Sequence, residues 1–192
     1  MPRPPILPVI DWKPVHESGK AFADWLQTAE NDDERAKAQQ MQQEADSLAP
    51  PNEVASQLAN LEHPVYVIAI AECWCGDVVR HIPVLQAMAR QSDNLKVRYI
   101  ARGDHPDVFA RYLTNGGEAI PKIIFFNEHW VEVGNWGPMP AQERELIARG
   151  KAAGCVGDAR KQVSALYEAD TGKKRVFQEL AHLVGIAATR SL

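Results

Sequence analysis

The stretch Val65-Tyr66-Val67-Ile68-Ala69-Ile70-Ala71 is apolar at every position and rich in β-branched residues. A half-exposed strand alternates apolar with polar side chains, whereas an uninterrupted run marks a strand covered on both faces. Such a strand needs paired neighbours and helices above and below it, which restricts the chain to a layered α/β arrangement. The run is far too short to cross a membrane. The residues that follow fit the same plan. Residues 78–91 have helical spacing, with Val78, Ile82, Leu85 and Ala89 on one side. Leu95, Val97, Tyr99 and Ala101 then alternate as a strand, and residues 106–114 supply another helix. Residues 123–126 and 131–133 form two strands whose tight connection, starting at Asn127-Glu128, demands an antiparallel hairpin.

The core order from residue 64 is therefore β-α-β-α-β-β-α, flanked by helical additions. Residues 1–13 carry Pro2, Pro4, Pro5 and Pro8, which predicts an extended arm without the apolar run of a signal peptide. Ser18 is placed to cap a helix bearing Phe22, Trp25, Leu26 and Ala29. Residues 30–48 are polar and acidic, and predict a solvated helix with a few Ala and Met contacts. Pro50-Pro51 ends it, and Asn52 can cap a short helix reaching Leu61. After the hairpin, helices are expected over residues 140–153 and 158–168, followed by one with Val176, Leu180, Leu183 and Val184 on one face. This divides the chain into a Pro-rich arm and helical extension (1–60), a core (61–140) and a C-terminal helical extension (141–192).

With 21 Lys+Arg against 25 Asp+Glu the net charge is −4, which offers no basic excess for a phosphate backbone. The balance of 45% apolar and 24% charged residues is that of an ordinary soluble protein. A cytoplasmic protein with neither nucleic acid nor membrane as partner is expected. Only Cys73, Cys75 and Cys155 occur, too few and too odd for a disulfide framework. Two of them lie in Ala71-Glu72-Cys73-Trp74-Cys75-Gly76-Asp77-Val78, where strand passes directly into helix. A residue capping that helix faces free N–H groups and the positive end of the helix dipole, which predicts a depressed pKa for Cys75. Asp77 either satisfies first-turn donors or, leaning toward sulfur, opposes the thiolate. Pro83 is expected to kink the helix. In extended chain, Cys73 and Cys75 point to the same side across about 6.6 Å, the upper edge of disulfide reach. A bond between them would be strained and easily reduced; equally, Cys73 can be a small buried strand residue. Cys73, Cys75 and His81, with Cys155 or His63, lack the paired spacing of a zinc site, and no phosphate loop occurs. Neither metal nor cofactor is expected.

The same block resembles the thioredoxin superfamily, whose usual motif sets Trp-Cys-Gly-Pro-Cys at this junction. Trp74-Cys75-Gly76 match, Asp77 stands in the place of the proline, and Val78 in that of the second cysteine. Ala119-Ile120-Pro121-Lys122-Ile123-Ile124-Phe125-Phe126 is similar to the superfamily's cis-proline loop with its following strand. The 46 residues from Cys75 to Pro121 accommodate the helix, strand and helix between them. Tyr112-Leu113-Thr114-Asn115-Gly116 and Trp136-Gly137-Pro138 are similar to a bacterial thioredoxin-like subgroup with a Trp-Cys-Gly-Asp motif. The resemblance spans about residues 15–140. It implies an α/β thioredoxin-like fold, a central mixed sheet flanked by helices with helical extensions at both ends. It also implies thiol–disulfide exchange, with Cys75 as nucleophile on a protein or small-molecule thiol or disulfide. Trp74, Gly76, Asp77, Ile120 and Pro121 would form the substrate groove. Beside the proline, the backbone of Ile120 can pair with an extended substrate, or Pro121 simply fixes the start of the strand.

The departures from the usual motif shape the chemistry. Val78 removes the thiol that would resolve a mixed disulfide, and Ala69 stands where thioredoxins bury an acid for proton transfer. Glu72 is the nearest substitute for that acid. Resolution then falls to Cys73, to a small-molecule thiol, or to a second thiol on the partner. The same departures suit a non-redox binding module that keeps the groove without turnover. A transferase dependent on a low-molecular-weight thiol, which needs only one cysteine, is a further alternative. Trp136 either joins the groove or packs beneath the hairpin.

Overall fold

The computed structural model describes residues 7–189. Four helices come first: α1 (Trp12–Ser18), α2 (Phe22–Leu26), α3 (Asp32–Ser47) and α4 (Asn52–Ala59). The alternating part follows as β1 (Val65–Ile70), α5 (Gly76–Ala89), β2 (Leu95–Ile100), α6 (Pro106–Phe109), β3 (Lys122–Phe126) and β4 (Glu132–Trp136). Helices α7 (Ala141–Ala152), α8 (Val156–Ala169) and α9 (Lys174–Ala187) close the chain. The sheet order is β2-β1-β3-β4. β1 runs parallel to β2 with Val65 opposite Leu95, and antiparallel to β3 with Ile68 opposite Ile124. β3 and β4 form the expected hairpin, with a register shift at Phe125/Phe126. This is an α/β thioredoxin-like arrangement.

The apolar run does what its composition requires. β1 and β3 hold the centre of the sheet, and Ile68, Ala69, Ile123, Ile124 and Phe125 are wholly buried. Tyr66 and Phe126 are register partners and share one face of the sheet. α1 covers that face: Trp12 packs on Phe126, His16 meets Tyr66 edge-on, and Trp130 stacks on Tyr66 at 3.9 Å between ring centres. α2 packs on β2, where Trp25 stacks on Tyr99. α9 lies against β3, β4 and α5, with Phe177, Leu180 and Val184 fully buried, so one helix of the C-terminal extension joins the core. α7 and α8 form a separate helical hairpin, crossing so closely that a Cβ at Gly150 would overlap that of Ala159. The hairpin is fastened by Arg175 to Glu143 at 2.9 Å and by Tyr167 to His81 of α5 at 3.2 Å.

Several local expectations change. The arm ends at Asp11, which caps α1 at Lys13 N; Pro2, Pro4 and Pro5 lie outside the described residues. Ser18 does not cap the next helix. Its hydroxyl donates back to the Val15 carbonyl, closing α1, and Ala21 precedes α2. Asn52 is the first residue of α4 rather than its cap, and Ala59 is the last. The helix at Pro106 stops at Phe109 and tightens into a 3₁₀ turn through Tyr112. The chain leaves because Asn115 and Gly116 adopt left-handed conformations, with Thr114 and Gly117 exchanging both backbone hydrogen bonds. That is the two-residue hairpin turn that Asn-Gly favours. The acidic α3 behaves as expected, burying only Ala38, Met41 and Ala45. Among the described residues no helix is long and apolar enough to cross a membrane.

If α9 is part of the core, Leu180→Ala removes a fully buried side chain and should lower unfolding stability by about 3 kcal/mol. The urea midpoint measures this. A change near zero would mean that α9 is detachable.

Candidate active site

β1 and β3 run antiparallel, with Ile70 opposite Lys122, so the end of one strand meets the start of the other. The chain leaving β1 bends at once. Cys75 N donates to the Glu72 carbonyl, making Cys73 and Trp74 the middle of a tight turn, and Cys75 caps α5. α5 then continues through Pro83 to Ala89. The strand beyond the bend starts at Pro121, and the Ile120-Pro121 bond is cis. The two loops touch: the half-buried Cys75 Sγ donates to the Ile120 carbonyl at 3.4 Å. Cys75, Ile120 and Pro121 therefore come together. Gly76 and Asp77 occupy the first turn of α5 beside them.

The thiol's electrostatics differ from the sequence expectation of a depressed pKa. Burial pushes the Cys75 thiol up. The N–H groups of Val78 and Asp77 pull it down, and the carboxylates of Asp77 and Glu72 push it up again. Asp77 thus opposes the thiolate. Burial also raises its own carboxyl pKa, against a lowering by Arg80. Glu72 does not stand beneath the sulfur as a buried acid. It accepts from Arg102 Nε at 3.0 Å and from Trp74 Nε1 at 2.8 Å, and Arg102 lies over the Trp74 ring. Ala69 and Val78 are both fully buried and apolar.

Cys73 faces elsewhere. Because it sits in a turn, the extended-chain argument for sulfurs on one side does not hold, and Cys73 and Cys75 are both free thiols. Cys73 lines a cavity of about 430 Å³ with Trp25, Glu34, Trp74, Tyr99 and Arg102. Burial, with a smaller contribution from Glu34, pushes its thiol up to about 11. Trp74 is largely exposed at the rim. Helices before β1 hold this turn: Trp25 Nε1 donates to the Ala71 carbonyl at 3.1 Å, and Lys37 Nζ to that of Trp74 at 3.2 Å.

Trp136 is buried, donates to Glu179 and meets His81 edge-on, so it packs under the hairpin instead of lining the groove. Cys155 is exposed at the start of α8, and His63 pairs with Glu128. Among the described residues, no group of three or more His, Cys, Asp or Glu side chains is placed to hold a metal ion.

The sequence reading named Trp136-Gly137-Pro138 and expected both helices, but it gave neither the loop after β4 nor the wall formed by α7 and α8 a place beside the site. Gly137-Pro138 is also cis, and a Cβ at Gly137 would collide with the Pro121 carbonyl. The Gly137 carbonyl accepts from Lys122 Nζ and Arg144 Nη1, both at 3.1 Å. Lys122 is buried there, and burial followed by the nearby Arg144 lowers its ammonium to about 8. A cleft of about 550 Å³ lies between these loops and the hairpin, with Asp77, Ala119, Pro138 and Val163 in its lining. The Gly-Pro dipeptide was a legible signal; the wall rests on contacts distant in sequence.

Comparison with known proteins agrees with this geometry. The family model described as thioredoxin matches residues 20–153. A protein of unknown function from Pseudomonas aeruginosa has a similar crystal structure, with TM-score 0.69 and 18% identity, covering 92% of this chain and 98% of that one. An HIV epitope-scaffold is similar at TM-score 0.66 and 15% identity, with the same coverage of 92% and 98%. These likenesses concern the fold. No curated protein matches the chain.

Because the Asp77 carboxylate raises the Cys75 thiol, Asp77→Asn should speed alkylation of Cys75 near pH 7 by on the order of threefold. Cys73, with its thiol at about 11, should be modified more slowly than Cys75 in both proteins. Timed iodoacetamide labelling with peptide mass mapping measures both. An unchanged or slower Cys75 rate would refute the electrostatic account.

Proposed function

The chain belongs to the thioredoxin family, and from that premise we propose that it carries out thiol–disulfide exchange with Cys75 as the attacking sulfur. The observation that carries the reading is the seat of that sulfur: capping α5, within reach of the Asp77 and Val78 amides, and against the carbonyl before Pro121. A thiolate formed there accepts from both amides, and an incoming disulfide can approach along the exposed Trp74 and Gly76. In the first step the Cys75 sulfur bonds to one sulfur of the substrate, the substrate disulfide breaks, and the departing thiolate takes a proton. A second thiol then attacks the mixed disulfide and restores Cys75, being itself oxidised.

That second thiol distinguishes this chain from a dithiol reductase. Val78 supplies none, and Cys73 would have to leave its own cavity and lose a tightly held proton. The proposal therefore favours an external thiol over Cys73. A cytoplasmic setting belongs to the same reading, since free thiols persist in a reducing compartment. Membership of the bacterial subgroup in which Asp follows Trp-Cys-Gly belongs to it as well. The alternative, a binding module without turnover, is favoured by one observation: burial and two carboxylates raise the Cys75 thiol instead of lowering it.

Reduction of insulin or of a glutathione mixed disulfide, with added thiol, should proceed above background for the native protein and at background for Cys75→Ser. Equal rates for the two proteins would favour the binding module. The Val78 position gives a second test. Its amide reaches the Cys75 sulfur and its side chain is buried, so Val78→Cys costs about 1 kcal/mol or less in packing. Under oxidising conditions it should form a disulfide with Cys75 and raise dithiol reductase turnover. A folded Val78→Cys protein that never forms that bond would contradict the placement of Cys75 at the start of α5.

A further inference from the structure

The cleft beside Cys75 has a chemical character of its own. One wall is the first turn of α5 at Asp77 and the loop Gly117-Glu118-Ala119, which leads directly to the Ile120 carbonyl touched by Cys75. The other wall is the α7–α8 hairpin. Its floor is apolar, from Pro138, Met139, Ile147, Val156 and Val163. Its charges are unevenly placed. Arg144 and Lys151 of α7 and Arg160 of α8 line the hairpin side, and Asp77 and Glu118 the side near Cys75. Glu118 pairs with Arg102, and Asp77 feels Arg80. Among the described residues no carboxylate forms an ion pair with Arg144, Lys151 or Arg160. Arg144 donates to the Gly137 and Met139 carbonyls, which leaves Lys151 and Arg160 as the cations presented to a ligand.

We propose that this cleft seats the small-thiol half of a mixed disulfide on Cys75, and that this half is a short peptide thiol with free carboxylates. The inference rests on the thiol–disulfide reading above and specifies its substrate class. At about 550 Å³ the cleft has the size of a small-ligand site, within the usual several hundred Å³. Carboxylates meet Lys151 and Arg160, the peptide body lies on the apolar floor, and an amino group is drawn toward Asp77. The sulfur of the bound half is then directed to the Asp77–Ala119 end, where Cys75 stands.

The reaction needs no second protein cysteine. The Cys75 thiolate attacks the small-thiol sulfur of a protein mixed disulfide. The sulfur–sulfur bond of the mixed disulfide breaks, and the protein leaves with its own sulfur as a thiolate that takes a proton. The small half remains on Cys75. A second molecule of the same thiol, as thiolate, attacks the sulfur of that half. This forms the small symmetric disulfide and returns Cys75 as thiolate. One protein mixed disulfide is reduced and two equivalents of the small thiol end as one disulfide, one of them having come from the substrate.

The test uses the whole protein and three disulfides as probes: oxidised glutathione, which carries carboxylates; hydroxyethyl disulfide, which is neutral; and cystamine, which is cationic. Formation of the Cys75 mixed disulfide is followed by intact mass and peptide mapping, with each rate divided by that disulfide's rate with N-acetylcysteine. Oxidised glutathione should exceed hydroxyethyl disulfide by about tenfold and should also exceed cystamine, whose cations meet Asp77 but not Lys151 and Arg160. The advantage should shrink as salt is raised. In Lys151→Glu/Arg160→Glu the glutathione-to-hydroxyethyl ratio should fall to one or below, and in Lys151→Gln/Arg160→Gln it should fall part of the way. Both positions are exposed, so the fold tolerates these changes. If Cys75 forms mixed disulfides without charge preference, or the preference survives both double substitutions, the assignment of this cleft is overturned while the exchange reading stands. If Cys75 forms none with any probe, the exchange reading falls and this inference with it.

Discussion

The antiparallel pairing of β1 with β3 is the constraint on which the site depends. It places Ile70 opposite Lys122, so that Cys75, a few residues past one strand, comes to rest against Ile120, just before the other. The pairing is held by side chains removed from water on both faces of the sheet, each worth about 2 kcal/mol when fully buried. Strand register brings the two loops together, and the hydrogen bond from Cys75 Sγ to the Ile120 carbonyl joins them. A slip of one residue would turn Ile68 and Ile124 to opposite faces, and the fully buried core resists that.

Around the sulfur the competing effects can be ranked. A helix N-terminus favours an adjacent anion by about 1 kcal/mol or less in most settings, which is below one pKa unit. Burial acts in the other direction, and two carboxylates reinforce it. The local motif therefore creates an amide-lined seat for sulfur without by itself producing an acidic thiol. What the amides secure is orientation. A substrate or ligand that brings positive charge, or displaces Asp77 from the sulfur, would shift that balance toward thiolate.

Legibility in the sequence followed the range of the interactions. The continuous run Val65-Ala71, the helix behind Cys75, the hairpin and the Ile120-Pro121 loop were readable because composition and order alone define them. Three things were not. The extended-chain argument for Cys73 and Cys75 failed because the chain between Glu72 and Cys75 is a turn closed from Cys75 N to the Glu72 carbonyl. Ser18 carries a capping side chain but spends its hydroxyl on the helix behind it. The cleft formed with α7 and α8 depends on contacts such as His81 to Tyr167, far apart in sequence, so neither helix advertised its place beside the site. Trp136, for which the sequence left groove and packing both open, is assigned to packing by its burial.

The bonds from Trp25 to the Ala71 carbonyl and from Lys37 to the Trp74 carbonyl tie the cysteine turn to α2 and α3. An appendage attached in this way is not free to drift in evolution independently of the chemistry it braces. Insertions or losses in the first sixty or so residues reach the cysteine turn through the Trp25 and Lys37 side chains. The N-terminal helices thus act as a splint that any shortened descendant of this chain would have to replace.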